Sequence, residues 1–450
     1  MNVVYMHTHD TGRLIQPYGH PVPTPHLMQL AREGTLFRKA YCVAPTCSPS
    51  RSGLLTGCMP HNNGLWGLTH RGFSMLDPKM HLASFLAERG YETVLCGIQH
   101  EANDASELGY VRMLGSQDYS MRDFKSDWRR FDTENAGRVA DFIREKHDKP
   151  FFLAFGMFNT HRDFPVLPKT AADDYVMPPA PLADIPVNRH DMAEFVESAR
   201  IVDECVGLVA GAIRESGVED KTIVIFTTDH GPAFPEMKGT MYDFGIGVSL
   251  IIKIKGNVMS GGAADALVSH LDIYPTLCES LELEKPAWLQ GVSLLPLLRE
   301  GRDSVRDAIF AENSFHVTYD PKRCVRTDRH KYIRRYSQYP FAMPGNIDGC
   351  PDKDLRVGAG QYTRVMPREL LFDLLLDPCE RVNLAGDPAL AVVKSELSDR
   401  LDGWLEKSDD PIRNGRMIPP DGAKVQYSDT RSNFAKDYVD DWSKLESGRS

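Results

Sequence analysis

The run Cys47-Ser48-Pro49-Ser50-Arg51 places a thiol, two hydroxyls and a cation within a few residues. Ser48 suits an N-cap, Pro49 a first helical turn and Gly57 a helix stop, so the run predicts a short helix beginning just after the cysteine. Cys47 would then sit where unpaired backbone N–H groups and the positive dipole end favour an anion. Arg51, one turn on, can lean back toward the same spot. A thiol there could be a nucleophile, although the frame is not that of a cysteine protease, nor of a phosphatase loop, whose arginine lies further along. The plainer alternative is a buried cysteine before an ordinary helix.

Other residues suited to chemistry are scattered, so elements must bring them together. Residues 2–6 form an apolar run that ends in His7-Thr8-His9-Asp10-Thr11-Gly12-Arg13. A buried strand over 91–97 leads to Ile98-Gln99-His100, another over 150–155 to Asn159-Thr160-His161-Arg162, and a third over 221–228 to Asp229-His230-Gly231 and then Lys238-Gly239-Thr240. Helical patterns from Thr24-Pro25 and over 82–90, 132–147 and 189–216 alternate with these strands. Such alternation predicts an α/β fold with a large, mostly parallel sheet flanked by helices, where ligands gather beyond the carboxyl ends of strands.

A further strand is expected over 248–254, and Ala308–Glu312 reads as the last strand of the large unit. Residues 324–333 and 369–374 read as neighbours in a smaller C-terminal antiparallel sheet, separated by a Gly- and Pro-containing loop over 339–366. A helix over 388–406 and a polar tail follow, giving expected units of 1–320 and 321–450.

The chain's 450 residues are 42% hydrophobic and 25% charged, ordinary for a globular protein with a substantial core. A net charge of −10 argues against a general nucleic-acid or membrane-surface binder and leaves a small anion as the expected partner. Nine cysteines, odd in number, show neither disulfide nor zinc spacing. No leader pattern precedes the first strand and no long apolar run occurs, so the expectation is a cytoplasmic chain that spans no membrane. A homo-oligomer is compatible with all of this.

Cys47–Arg51 resembles the C-x-P-x-R signature of the sulfatases, within the alkaline phosphatase superfamily. The continuation Leu54-Leu55-Thr56-Gly57, His61, Asn63-Gly64 and Gly67-Leu68 is similar to the sulfamidase-like branch of that family. The resemblance spans nearly the whole chain. It implies that Cys47 is oxidised by a formylglycine-generating enzyme to formylglycine, whose hydrate attacks sulfur through one hydroxyl and re-forms the aldehyde when the other loses its proton. It also implies a divalent ion held by His9, Asp10, position 47, Asp229 and His230. Calcium is the family's usual ion, and manganese or another transition ion is compatible with two histidines.

Arg51 would orient the nucleophile, Lys238 would grip the transferred group, His100 would take the proton, and His161 would protonate the leaving atom. His7, Arg13, Arg162 and His316 are candidate substrate contacts. Two positions depart from the family pattern: His9 replaces an aspartate, and Ile98 replaces a lysine beside the sulfate. The implied activity is hydrolysis of a sulfate ester or sulfamate on a sulfated sugar of the N-sulfoglucosamine type. Phosphonate monoester or phosphodiester hydrolysis is the alternative within the superfamily, and a non-catalytic anion-binding relative is the alternative outside enzymes.

Overall fold

The computed structural model describes residues 1–115 and 127–448. Strands β1 (Asn2–Thr8), β2 (Thr35–Tyr41), β3 (Glu92–Gly97), β4 (Arg112–Leu114), β5 (Phe151–Gly156), β6 (Thr222–Thr228), β7 (Leu250–Lys253) and β8 (Ala263–Ser269) form one sheet in the order β4-β3-β5-β1-β6-β7-β2-β8. Only β7 runs against the rest among the described strands; it pairs antiparallel with both β6 and β2. The central strands are apolar throughout because both faces are covered. On β1, Val3 and Tyr5 enter the core on one side of the sheet, while Val4 and Met6 enter the core on the other.

Helices Pro25–Glu33, Trp128–Arg144 and Pro186–Glu215 cover the side of Val4 and Met6. Asp203 accepts from the Leu27 and His26 backbone N–H groups at 2.8 and 3.1 Å, tying the last of these helices to the start of the first. Helices Cys47–Thr56, Leu82–Ala87 and Ile273–Ser280 cover the other side, and the smaller sheet shares that core.

The smaller sheet has the order β12-β11-β10-β9, from β9 (Ala308–Phe315), β10 (Tyr319–Thr327), β11 (His330–Arg335) and β12 (Glu369–Asp373). Three expectations are corrected here. Ala308–Glu312 belongs to this sheet and not to the large one, since β9 pairs antiparallel with β10. The single strand expected over 324–333 is half of β10 and most of β11, folded as a hairpin about Asp328 and Arg329. The segment 339–366 is not only loop, since it contains a helix, Pro351–Gly358. An apolar run fixes that a segment is buried, but its partner is a distant stretch of chain, which local pattern does not name. β8 was not anticipated; its first residues alternate exposed and buried.

The helix Cys47–Thr56 is buried along its whole length and ends at Gly57, whose φ of 68° is the left-handed conformation that glycine adopts without cost. Its N-cap is Thr46 and not Ser48, because Thr46 C=O already accepts from Ser50 N–H at 3.0 Å. Ser48 Oγ instead accepts from Thr69 N–H at 3.2 Å. Position 47 is therefore the first helical residue.

A buried ion network joins this helix region to the smaller sheet. The His61 ring meets Glu312 through Nδ1 and the Ser408 carbonyl through Nε2 (3.1 Å), while Arg323 clasps Asp410 with Nε and Nη2 at 2.5 and 3.0 Å. Two cations thus face two anions, so this cluster is neutral without a metal. Burial opposes charging of the imidazole, but Glu312 and Asp410 outweigh it and hold the His61 pKa above its ordinary 6.5. A raised folded-state pKa gives stability that is complete below the unfolded value and is lost as pH rises through the folded one. The difference in unfolding free energy between wild type and His61→Gln should therefore be largest near about pH 6 and shrink in more alkaline buffer. Denaturant titrations across that range check this, and a pH-independent difference would contradict it.

Candidate active site

Five strand ends or their following loops converge on one edge of the large sheet. β1 delivers His9 and Asp10, β3 His100, β5 His161, β6 Asp229 and His230, and the connection after β2 leads into Cys47. The loops are stitched together: Thr160 N–H donates to His9 C=O at 2.9 Å, and Asp10 N–H donates to Asp229 Oδ1 at 2.9 Å. Gly97 and Gly156 permit the closest approach. A Cβ on Gly156 would lie 1.9 Å from Ile98 O, forcing apart the segments that carry His100 and His161.

His9, Asp10, Cys47, Asp229 and His230 are all buried, and one candidate ligand atom from each lies within 4.8 Å of the others. Asp10 Oδ1 is 2.7 Å from His9 Nδ1 and 3.3 Å from His230 Nε2, and Asp229 Oδ2 is 3.3 Å from His9 Nδ1. The Cys47 Sγ lies 3.5 Å from His230 Nε2. Burial would raise the Asp229 pKa, but His230, His9 and Arg51 outweigh it and keep this carboxyl ionised. Burial lowers the His9 pKa to about 3, more than its two carboxylate neighbours restore, so the ring is neutral and one of its two nitrogens carries a lone pair that can serve as a ligand. At Cys47, burial pushes the thiol pKa well up, and Lys238 offsets only part of that. An unmodified Cys47 is thus a neutral thiol, a poor nucleophile.

Arg51 fixes Asp229 from beneath. Its Nε and Nη2 reach Asp229 Oδ2 at 3.1 and 3.0 Å, Nη2 also donates to Thr8 C=O at 3.1 Å, and Nη1 meets His7 Nδ1. Lys238 closes the site from above, 2.7 Å from Asp10 Oδ2, 3.1 Å from Asp348 Oδ2 and 3.5 Å from His161 Nε2. His161 has a quarter of its side chain exposed, whereas the residues under it have none or nearly none. His100 Nδ1 lies 3.1 Å from His9 Nε2. Access is therefore from the side of His100 and His161.

Three of the expected substrate contacts are elsewhere. Arg13 turns away after Gly12, donates to Ala40 C=O at 2.8 Å and lies 4.6 Å over the Tyr41 ring, where it braces β2. Arg162 spends its guanidinium on Asp191 at 2.6 and 2.8 Å and on Ala233 C=O at 2.9 Å, between the rings of Phe164 and Phe234. His7 is buried beneath Arg51 and stacks on Tyr5, so it serves Arg51 and does not face a substrate. His316 is buried, on a turn that Asn346 ties to the segment bearing Asp348. Ile98, in place of the family's lysine, packs into an apolar cluster with Phe131 and Phe158.

Asp348 is the site residue that sequence reasoning missed. It is one of three aspartates in the long segment between β11 and β12, and no local pattern marks it.

The sheet order gathers on this edge a buried cluster of carboxylates, imidazoles and cations beside a cysteine at a helix start, a site suited to an anion. Residues 2–282 match the family profile Sulfatase, and residues 236–342 match N-sulphoglucosamine sulphohydrolase, C-terminal. The chain belongs to the sulfatase family and is a sulfuric ester hydrolase with the alkaline phosphatase-like fold. Human N-sulphoglucosamine sulphohydrolase is 29% identical over 89% of this chain and 88% of its own. A solved sulfatase of Bacteroides thetaiotaomicron superposes with a TM-score of 0.72 at 21% identity, covering 97% of this chain and 98% of its own. A protein solved with its substrate D-glucosamine-2-N,6-O-disulfate also gives 0.72, at 17% identity, over 92% of this chain and 99% of its own.

Asp229 carries the sharpest mutational test of this geometry. Asp229→Ala leaves the buried Arg51 without its carboxylate, which costs roughly 3–5 kcal/mol, and strips one of two anions from the cluster. Turnover should fall by orders of magnitude and the thermal midpoint should drop together. A variant with a wild-type melt would contradict the pairing, and one with wild-type turnover would contradict the site.

Proposed function

We propose that this sulfatase removes the sulfo group from a sulfated amino sugar, with N-sulfoglucosamine-type sulfamates first and sulfate esters of the same sugars second. The observation that carries the reading is position 47 at the helix start, in contact with His230 and surrounded by His9, Asp10 and Asp229. The two matching family profiles and the human relative support the choice of substrate.

The residues present fit both groups that the family implies. Two ionised carboxylates and two imidazoles make a donor set for one divalent ion, and the mixed oxygen and nitrogen donors favour manganese or a similar ion over calcium. Asp10, Asp229, Asp348, Arg51 and Lys238 are linked by direct contacts, and their three anions exceed their two cations by one charge. A divalent ion would reverse that balance to one positive charge, which suits a monoanionic substrate. When bound, the ion would supply Lewis acidity to the sulfo oxygens and to the nucleophile. Formylglycine at position 47, made by a maturing enzyme, would supply as its hydrate an oxygen nucleophile where the thiol is inert.

The remaining roles fall to this chain's own side chains. Lys238 holds the sulfo group. His161, at the open side and 3.5 Å from Lys238 Nζ, delivers a proton to the leaving nitrogen or oxygen. His100, partly exposed at the open side of the site, receives the proton given up at position 47. Arg51 keeps Asp229 aimed at the cluster.

The test is a side-by-side kcat/KM series on N-sulfoglucosamine, glucosamine 6-O-sulfate, and aryl sulfate, aryl phosphonate monoester and aryl phosphate. With Ile98 in place of a lysine, one fewer cation faces a dianion, so aryl phosphate should rank last and the sulfated amino sugars first. Phosphate or phosphonate in first place would overturn the reading.

A further inference from the structure

Next to Lys238 stands a wall built by the smaller sheet and the tail. Asn346 Oδ1 accepts from both Val317 and Thr318 N–H groups at 3.1 Å, which locks the turn bearing His316 to the segment bearing Asp348. Asn433 Nδ2 donates to Asp348 Oδ1 at 3.0 Å, and Arg71 Nη2 in turn holds Asn433 C=O at 2.8 Å. Gln426 N–H donates to Val317 C=O at 2.7 Å. Four segments distant in sequence thus fix the backbone beside His316 and the carboxylate of Asp348, and both residues are only 7% exposed.

Both end in a polar atom without a hydrogen bond. Among the described residues, His316 Nδ1 has no such partner, and Asp348 Oδ2 has only the charge contact of 3.1 Å with Lys238, whose shorter contact, 2.7 Å, is to Asp10. Orphaned buried polar atoms are costly, so His316 Nδ1, beside a carboxylate oxygen that only the Lys238 ion pair engages, calls for a partner. The partner must also justify a carboxylate in an anion pocket. Asp348 weakens the positive field of Lys238 where a sulfo group binds, an expense that only a hydrogen-bond donor on the substrate would offset.

We propose that Asp348 Oδ2 accepts a hydrogen bond from the sugar's C3 hydroxyl, next to the carbon that bears the sulfated nitrogen, with His316 alongside as second polar contact. This rests on the sulfated amino sugar reading above and assigns the residue that makes it selective. Asp348 also excludes substrates with a second anion at that neighbouring carbon, because two like charges would face each other in a buried site.

The experiment compares kcat/KM for N-sulfoglucosamine and its 3-deoxy analogue, in wild type, Asp348→Ala and Asp348→Asn. Wild type should prefer the parent roughly 10- to 100-fold, the loss expected when a buried acceptor is left unpaired. Either variant should bring that ratio toward one, whatever happens to absolute rates. A wild-type ratio near one overturns the proposal even if neither variant folds. A ratio preserved in a folded variant also overturns it, since Asp348 would then act only on Lys238. Failure of wild type on both sugars overturns the functional reading itself, and the proposal with it.

Discussion

Two carboxylates, Asp10 and Asp229, are held ionised while buried, and the rest of the molecule is arranged to make that tolerable. Isolated buried charges cost many kcal/mol, so each must be met by cations and oriented donors. Arg51 meets Asp229 from the helix below, Lys238 meets Asp10 from the loop above, and backbone N–H groups of Asp10 and His230 cap Asp229 Oδ1 at 2.9 Å. The helix Cys47–Thr56 brings Cys47 to the cluster and, through Arg51, supplies the counter-charge. This explains why the cysteine and arginine occur in one fixed frame: they are two functions of one short helix that is buried along its whole length.

Parallel strands make such a cluster possible. β3, β5, β1 and β6 are neighbours and point the same way, so their four following loops meet within hydrogen-bonding distance. The opposed strand β7 lies beyond them and carries none of the site residues.

That geometry also explains what could be read from the amino-acid order. His9, Asp10, His100, His161, Asp229 and His230 follow directly on strongly apolar strands, so their shared location is a local property of the chain. Lys238 and Arg51 came through short, specific motifs. Arg13 and Arg162 sit in the same loops but point elsewhere. Their partners, the Tyr41 ring and Asp191, lie on other elements, and nothing within the loop tells a cation bound to protein from one facing substrate. Asp348 was invisible for the converse reason: only the packing of the smaller sheet and the tail brings it to Lys238. Strand β9 was likewise recognised as a strand, while its pairing with β10 depends on contacts that no window of sequence contains.

In the proposed site, His9, Asp10, Asp229 and His230 share one divalent ion next to position 47. Diffraction from crystals soaked in manganese, recorded at wavelengths on both sides of its absorption edge, tests it most directly. The account predicts one anomalous peak per chain, bonded to at least one oxygen of each aspartate and to a nitrogen of each histidine. A peak bonded to neither aspartate, or a His9 ring turned away from a metal that the other three residues hold, would contradict it.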